Sequence, residues 1–350
     1  MTASKALVIG GSGQIGQAAA ARLLEDGWDV TVASRGKASP PVGAHVRQVD
    51  RADDESMDAI LKECFDVVVD VVAFDPQHVD QLSRRAGDIG SIVAISTGGL
   101  YVDTQGRALE AITDLESSPR FNGPVPESAR TVGTGTGTYA SRKRAVELAL
   151  ANGPVPATVI RPATVHGPNT PQAREWFYLR RILDGRRTFV LGFDGQGSYH
   201  PVSTGNLAEM IRLAARNPGH RILNAGDPGS PTERDIAAGI AEAMNVSVEF
   251  VLVPGQPPVA SPWSLPAPVF LDTEAARTQL GYEPALTYAA GVALTVESLL
   301  RDVASGAFHE RLADSKFGNP GLGVRTFFGG TSDPFDYGAE DRAISTFQPT

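Results

Sequence analysis

A glycine-rich turn close to the start of the chain constrains the fold more than any other feature. Three glycines, at positions 10, 13 and 16, follow the apolar run 6–9 and open a stretch of helical periodicity over residues 14–24. Such a turn lets a strand pass directly into a helix and leaves the backbone bare for close approach. The first helical turn then offers free N–H groups and a partial positive charge, which suit a phosphate or pyrophosphate.

The position of this turn between a strand and a helix predicts a dinucleotide-binding site. A glycine pattern alone would equally fit a structural turn, so the context decides the interpretation. The residues expected to hold the pyrophosphate are Gly10, Gly13, Gln14, Ile15 and Gly16.

The first 165 residues alternate short apolar runs with amphipathic helical stretches. Further strands are predicted at 29–33, 45–49, 66–73, 91–95 and 157–160, and further helices at 57–62, 78–85 and 139–150. Continuous apolar strands separated by helices are typical of a parallel sheet that is covered on both faces. We therefore predict an α/β fold, a Rossmann-type doubly wound parallel sheet with a smaller C-terminal α/β substrate domain.

The pattern loosens after residue 168, which suggests a change of domain. We predict a dinucleotide-binding Rossmann domain over 1–168, to which 205–226 returns through a strand at 221–225. The substrate domain is assigned to 169–204 and 227–305, with helices at 174–183, 232–244, 272–280 and 288–300 and a strand at 246–253. Six prolines between 254 and 269 predict a loop.

The last segment, 306–350, holds six of the fourteen phenylalanines together with Tyr337. A disordered tail is normally poor in aromatic residues. We therefore expect this tail to dock on the body of the protein or on a second subunit.

Composition excludes several classes of function. The chain has 31 Lys and Arg against 40 Asp and Glu, a net charge of −9, which argues against binding nucleic acid or an anionic membrane surface. A single cysteine, Cys64, excludes an internal disulfide and a cysteine-based metal site, and no cluster has metal-ligand spacing. The chain opens directly in a strand-like stretch and has no long apolar run, so we expect a soluble, cytoplasmic protein.

The end of the second predicted strand bears on the choice of dinucleotide. A carboxylate there would bind both ribose hydroxyls of NAD, but this chain has Ser34 and Arg35 instead. A hydroxyl and a planar guanidinium suit a 2′-phosphate, so NADP(H) is favoured over NAD(H), with a solvated basic turn as the alternative. Asp50, after the third strand, is expected to accept from the adenine amino group or to cap the next helix.

Tyr139 and Lys143 are four residues apart and share one face of a predicted helix. A nearby ammonium is expected to lower the pKa of the phenol, so that it can exchange a proton with an alcohol or carbonyl. Ser96 and Thr97 follow the fifth strand, and the carboxyl ends of such strands face the ligand crevice. A hydroxyl there could bind the substrate oxygen while Tyr139 transfers the proton.

With these motifs the chain resembles extended short-chain dehydrogenase/reductases of the NAD-dependent epimerase/dehydratase family, over about residues 5 to 300. The matching segments are the glycine turn, 96–101, 139–143, 161–168 and 272–284. The resemblance implies that Tyr139 is the acid/base, Lys143 its partner and Thr97 the donor to the substrate oxygen. It also implies a small-molecule substrate and allows a homodimer. The further cofactor contacts implied are Val71, Val72, Ala73, Ser96, Pro162 and Val165.

Two departures from the family pattern concern the substrate. The acidic pair that sugar-nucleotide 4,6-dehydratases carry after the threonine is replaced by Gly98 and Gly99, and Tyr199 stands where an arginine for the sugar-nucleotide pyrophosphate is expected. Candidates to replace that arginine are Arg181, Arg186 and Arg187. Candidate substrate contacts are Gly98, Tyr101, His166, Trp176 and His200, each of which could instead be a structural residue.

These observations favour an NADPH-dependent reductase or dehydrogenase acting on a carbonyl or an alcohol. The alternative is a redox-neutral epimerase of a sugar or nucleotide sugar that keeps NAD tightly bound. A third option, a non-catalytic dinucleotide-sensing or RNA-associated relative, fits poorly with the retained Tyr139 and Lys143. The glycine- and threonine-rich stretch 133–138 is expected to be either a lid or a surface insertion.

Overall fold

The computed structural model describes residues 3–36, 40–308 and 333–347. Its centre is a sheet of seven parallel strands in the order β3-β2-β1-β4-β5-β6-β10. These strands are β1 (Lys5–Ile9), β2 (Asp29–Ser34), β3 (His45–Gln48), β4 (Val67–Asp70), β5 (Ile92–Ile95), β6 (Ala157–Pro162) and β10 (Arg221–Ala225). The predicted α/β class and doubly wound parallel sheet are confirmed, and the strand at 221–225 does join this sheet beside β6.

Helices cover both faces of the sheet. They are α1 (Gln14–Glu25), α2 (Asp54–Leu61), α3 (Pro76–Ser83), α4 (Tyr139–Ala151) and α6 (Thr204–Arg216). Helices α1 and α6 pack together over one face, while α2, α3 and α4 form the layer on the other. Burial of both sheet faces explains why the strands read as continuous apolar runs.

The remaining elements lie outside the central sheet and the five helices that cover it. Two parallel strand pairs join β7 (Thr164–His166) to β9 (Pro201–Ser203) and β8 (Thr188–Leu191) to β11 (Glu249–Leu252). The strand predicted at 246–253 is β11, whereas β7, β8 and β9 were not predicted. The helices here are α5 (Trp176–Leu183), α7 (Glu233–Ala243) and α9 (Tyr288–Ser305), whereas α8 (Glu274–Leu280) packs on α6 and β10 of the central sheet. Helices α5, α7 and α9 share a second hydrophobic core.

The proline-rich stretch 254–269 is a loop, as predicted, and it is firmly packed. Trp263, Leu265 and Val269 are buried within it. The stretch 133–138 is exposed, and its last residue, Thr138, caps α4 by accepting a hydrogen bond from the Ser141 N–H at 3.1 Å. Whether this stretch acts as a lid stays a prediction.

The described part of the tail docks on the body, as expected. Helix α10 (Tyr337–Phe347) lies against β8 and β11. The Arg181 Nε donates to the Glu340 carboxylate at 2.9 Å, and Phe335 stacks on Phe177 with ring centroids 6.5 Å apart. The rest of the predicted tail, residues 309–332 and 348–350, lies outside the described residues.

Glycine is required inside the first turn by close packing rather than by helix propensity. A Cβ at Gly16, within α1, would collide with the Gly10 carbonyl oxygen and lie 2.6 Å from the Gly11 Cα. A Cβ at Gly10, whose φ is +82°, would lie 2.7 Å from methyl groups of Val71 and Val72. The turn after β1 is therefore pressed against both its own helix and the end of β4.

Replacement Gly16→Ala should destabilise the fold by roughly 1–3 kcal/mol, because backbone atoms would have to move. In an unconstrained helix the same change stabilises by about 1 kcal/mol, so the sign of the effect is diagnostic. Gly87→Ala is the matched control, since a Cβ there meets nothing within 4 Å. Urea unfolding of the three proteins measures the difference, and a Gly16→Ala variant as stable as the parent would contradict the packing argument.

Candidate active site

The predicted functional segments meet at the carboxyl-terminal edge of the central sheet. The strand order reverses between β1 and β4, and doubly wound sheets bind their ligands at such a switch point. The glycine turn leaves β1 there and contacts Val71 and Val72, which follow β4. Strand β4 ends at Asp70, three residues earlier than predicted, because residues 71–73 pass around the glycine turn instead of continuing the sheet.

The start of α1 has the features of an anion-binding helix terminus. Its N-cap, Gly13, is exposed, no side chain caps it, and no acidic residue lies in the first turn. The Gln14 side chain donates to the Gly167 carbonyl at 3.3 Å, and Ile15 packs against the core. Both side chains thus face protein, which leaves the backbone N–H groups to face a ligand. This bare cradle fits a dinucleotide pyrophosphate.

The segment after β2 is exposed and carries no carboxylate. The Ser34 hydroxyl accepts a hydrogen bond from the Gly36 N–H at 3.3 Å and can still donate its own proton. Arg35 is solvent-exposed. Asp50 is also exposed and accepts from the Ala52 N–H at 3.0 Å.

The cap of α2 differs from the alternative considered for Asp50. Asp53, not Asp50, is the N-cap and accepts from the Glu55 N–H at 3.1 Å. The carboxylate of Asp50 therefore remains at the surface, close to the end of β3. The capping interpretation was wrong, and the adenine interpretation stays a prediction.

Lys143 lies buried beneath the edge where β4 and β5 end. Its Nζ donates to the Ala73 carbonyl at 2.8 Å and to the Ile95 carbonyl at 2.7 Å. It also lies 4.6 Å from the ring centroid of Phe74 and 5.8 Å from that of Tyr139. Burial lowers the pKa of Lys143 to about 8, although nearby carboxylates oppose the shift. The helix that carries Tyr139 is thereby tied to the ends of two strands.

Tyr139 opens α4, and 45% of its side chain is exposed. Its ring lies beside Phe74, with centroids 6.3 Å apart. Enough protein surrounds the phenol that burial raises its pKa to about 12. The expectation of a lowered pKa was wrong for this structure, because burial is the largest influence on the phenol and only the charge of Arg142 opposes it.

Thr97 and Ser96 follow β5 but have different surroundings. The Thr97 hydroxyl accepts from the Gly99 N–H at 3.0 Å, begins the short 3-10 helix Gly98–Leu100, and is partly exposed. The Ser96 hydroxyl is buried and donates to Glu147 at 2.6 Å, within an ion pair between Glu147 and Arg161. Thr97 can therefore meet a ligand, whereas the predicted cofactor contact of Ser96 is not supported by its side chain.

The two predicted nicotinamide neighbours follow each other closely in the chain. Pro162 ends β6, and its carbonyl oxygen would lie 3.4 Å from a Cβ at Gly98. Val165, in β7, is partly buried against the core that α1 and α6 share. Both stay candidates for the nicotinamide side.

Four of the five candidate substrate residues form bonds or packing contacts within the protein instead, and the first two are the aromatic residues. The Tyr101 hydroxyl donates to Asn224 at 2.7 Å and accepts from Arg161 at 2.8 Å. Trp176 is buried in the second core and packs on Phe308. These aromatic side chains therefore serve packing rather than a substrate wall.

The two candidate histidines are likewise fully bonded. His200 Nε2 donates to the Asp227 carbonyl at 2.8 Å, and its Nδ1 accepts from the Leu271 N–H at 3.0 Å. His166 lies 2.6 Å from the Asp227 carboxylate and 3.1 Å from the Thr295 hydroxyl. Burial opposes the charging of His166, but Asp227 outweighs it and raises the pKa. Of the five candidates, only Gly98 lies at the proposed catalytic edge.

The three arginines considered for a pyrophosphate are also occupied. Arg181 and Arg186 form ion pairs with Glu340 and Asp341 of α10. Arg187 donates to backbone carbonyls of Ile182 and Arg186. Each is held by α10 or by its own loop, so none replaces the missing arginine.

A family model, described as the NAD dependent epimerase/dehydratase family, matches residues 6–226. The chain belongs to this family. Enzymes of this short-chain dehydrogenase/reductase type use a nicotinamide cofactor. The family is the one that the sequence motifs predicted. No curated protein sequence matches the chain.

Solved structures share the fold at low sequence identity. An epimerase of Methanothermobacter thermautotrophicus is 17% identical, with a TM-score of 0.65 over 87% of this chain and 94% of its own. A UDP-glucose 4-epimerase of Thermus thermophilus, in complex with NAD, is 21% identical, with a TM-score of 0.63 over 85% and 99%. A dTDP-glucose 4,6-dehydratase of Streptomyces venezuelae, with NAD and TYD bound, is 20% identical, with a TM-score of 0.64 over 86% and 98%.

Two negative findings within the described residues concern metal ions and membranes. No group of three or more His, Cys, Asp or Glu residues could hold a metal ion within the ranges that the structure covers. None of the helices in those ranges is both long enough and apolar enough to cross a membrane.

Because the pKa of His166 is raised, its contribution to the free energy of unfolding should fall as pH rises. Its raised pKa means that the contribution is complete below the unfolded value of about 6.5 and is lost as pH rises through the folded value. His166→Gln should cost about 3–5 kcal/mol at pH 5.5, since it leaves the buried Asp227 carboxylate without its cation, and less at pH 9. Urea unfolding at both pH values, with the exposed His220→Gln as control, measures this, and a pH-independent difference would refute it.

Proposed function

We propose that this member of the family is an NADPH-dependent reductase or dehydrogenase that interconverts a carbonyl and an alcohol. The observation that carries the proposal is the arrangement around Lys143. Its bonds to Ala73 and Ile95 place Tyr139 at the sheet edge where the glycine turn opens α1 and where Thr97 leaves β5. The start of α1, the Tyr139 phenol and the Thr97 hydroxyl therefore lie at one edge of the central sheet.

The bound nicotinamide would supply the hydride that the substrate carbon receives. The residues of the chain have complementary tasks. Tyr139 donates a proton to the substrate oxygen, and Thr97 donates a hydrogen bond to that oxygen, because its lone pair already accepts the Gly99 N–H. Lys143 holds the two strand ends and keeps positive charge beneath the site.

The protonation state of Tyr139 suits the role of proton donor. With a pKa of about 12, the phenol stays protonated at neutral pH and is ready to act as an acid. An alkoxide formed from a carbonyl is a stronger base than a phenolate, so the proton transfer is downhill. Oxidation would need the phenolate, which burial disfavours here.

Elimination of water lacks its acids at this site. Gly98 and Gly99 occupy the two positions after Thr97, so no carboxyl group can protonate a leaving hydroxyl from there. Dehydration by the family's acidic pair is therefore not part of the proposal.

The proposed domains stay as predicted from sequence, 1–168 with 205–226, and 169–204 with 227–305.

A redox-neutral epimerase remains the second candidate, because the family description and two of the three solved structures above name epimerases. Such an enzyme would use Tyr139, Lys143 and Thr97 in the same places. It would hold NAD through the whole cycle and would not consume NADPH. The proposal of NADP(H) rests on Ser34 and the exposed Arg35, where a 2′-phosphate could be bound without repulsion from a carboxylate.

Purified protein should oxidise NADPH with at least one member of a panel of ketones and aldehydes, followed by absorbance at 340 nm. Tyr139→Phe should lower kcat by about 10²–10⁴, the range of general acid catalysis, with little change in KM. Tyr337→Phe, remote on α10, is the matched control and should keep full activity. Full activity of Tyr139→Phe would remove this mechanism.

The same preparation separates the two candidates. Mass spectrometry of small molecules that co-purify should find no stoichiometric NAD if the reductase proposal holds. Stoichiometric NAD(H), together with no NADPH consumption across the panel, would replace the reductase with the epimerase.

The preference for NADPH should depend on Arg35. Arg35→Ala should weaken NADPH binding about tenfold or more, since a charge-assisted bond to the 2′-phosphate is worth roughly 1.5–3 kcal/mol, and should leave NADH binding nearly unchanged. Arg47→Ala is the control, an exposed arginine on the neighbouring β3 that pairs with Glu63. Calorimetric titration of both nucleotides measures the preference, and equal loss for NADPH and NADH would contradict it.

A further inference from the structure

Phe74 is an apolar side chain that stays at the surface beside the proposed catalytic residues. It is 39% exposed, and of the phenylalanines in the described ranges only Phe74 and Phe347 are exposed. A ligand that covers an exposed aromatic ring gains the free energy of burying it, so apolar surface beside reactive groups is typical of a binding surface. Phe74 is therefore a candidate for contact with the substrate.

The ring of Phe74 lies within reach of a substrate bound at Tyr139. The two ring centroids are 6.3 Å apart, their planes are inclined at 52°, and 45% of the Tyr139 side chain is exposed. A substituent on the carbon whose oxygen takes the Tyr139 proton must extend over the surroundings of that phenol. On the side of Phe74, such a substituent meets an aromatic ring.

The position of Phe74 is fixed by contacts within the protein. Its backbone N–H donates to His78 Nδ1 at 3.1 Å, and the carbonyl of His78 accepts from the Arg51 guanidinium at 2.9 Å. The Lys143 Nζ lies 4.6 Å from the centroid of the Phe74 ring, a cation–π contact that stabilises the ring in this place. Because the ring is already held, little free energy is lost in ordering it when a ligand binds.

The surroundings of the two rings offer little to a charged substituent. The side chains of Arg142 and Asp75 are 3.9 Å apart and neutralise each other. Lys143 is only 1% exposed, and residues 97–99 at the turn after β5 are uncharged. A charged substituent would lose its hydration here without gaining a partner, whereas an apolar substituent would not.

Resting on the proposed function above, we propose that Phe74 and Tyr139 bind an aryl group attached to the reacting carbonyl carbon of the substrate. Aromatic rings prefer offset or edge-to-face contacts with centroids about 4.5–7 Å apart, so a third ring can contact both members of this inclined pair. The substrate class is then an aryl ketone or aldehyde, or the corresponding alcohol. Phe74 selects the substrate, whereas Tyr139 also transfers the proton.

Binding rather than turnover tests this specificity, so that its failure is separate from failure of the reductase proposal. Protein saturated with NADP⁺, or with NAD⁺ if only that nucleotide binds, cannot reduce a ketone and is titrated calorimetrically, with the free protein in parallel. The ligands are acetophenone, cyclohexyl methyl ketone and acetone, which share the methyl ketone group. Acetophenone should bind about tenfold or more tightly than acetone, because it buries more apolar surface. It should bind about threefold or more tightly than cyclohexyl methyl ketone, whose ring is apolar but not aromatic.

Variants then assign the preference to Phe74. Phe74→Ala should weaken binding of acetophenone about tenfold and binding of acetone less than about twofold, because only the larger ligand reaches the ring. Phe74→Leu, which keeps apolar surface without the ring, should lose part of the preference. Phe347→Ala, which replaces an exposed phenylalanine on α10, is the control and should bind as the parent does. Thermal melting checks that each variant is folded, and Phe74→Leu carries the comparison if Phe74→Ala is not.

Three outcomes overturn the assignment whatever the enzyme does with NADPH. One is that acetophenone binds the parent protein no more tightly than acetone, with or without the nucleotide. Another is that the folded Phe74 variants keep the full preference. The third is that they weaken both ketones equally together with the nucleotide, which would assign Phe74 to the cofactor instead. Conversely, a preference that the Phe74 variants lose supports the assignment even if every carbonyl of the panel fails to be reduced.

Discussion

The pair of hydrogen bonds from the Lys143 ammonium to the Ala73 and Ile95 carbonyls is the constraint on which the site depends. A buried ammonium must be well paired to be tolerated, and here the segment that follows β4 and the last residue of β5 supply its partners. The bonds join this segment, β5 and α4 at one point. Because Tyr139 lies one helical turn before Lys143, its position over the sheet edge follows from this junction, with Phe74 beside it.

The glycine turn lies at the same edge of the sheet, on the other side of the reversal of strand order between β1 and β4. Gly10 and Gly16 allow the turn to pack against α1 and the segment after β4 at distances that no side chain permits. The first turn of α1 therefore points uncapped N–H groups out of the sheet, close to residues 71–73. The start of α1 and the Tyr139 side chain are held by packing near neighbouring strand ends, so the roles proposed for them require no large rearrangement of the backbone.

The sequence predicted the elements whose signals are local and missed the features that depend on distant partners. Strand runs, the glycine turn and the Tyr139–Lys143 spacing can be read within a few residues of each other. His200 and Tyr101 looked like site residues, but Leu271 and Asn224, which lie 71 and 123 positions further along the chain, engage them. The predicted lowering of the Tyr139 pKa was wrong for a related reason, since burial of the phenol, which raises the pKa, cannot be read from the spacing to Lys143.

The departures from the family pattern at positions 98, 99 and 199 have one property in common, which is that each removes a charged side chain. Carboxylates after Thr97 would place negative charge at this turn, and Gly98 and Gly99 leave it without them. Tyr199 stands where an arginine is expected, and its neutral hydroxyl would lie 3.3 Å from a Cβ at Gly98. Arg181 and Arg186 do not replace that arginine, because they are paired to α10. The changes at positions 98, 99 and 199 therefore remove both the negative and the positive charge that the family pattern predicts for this part of the site.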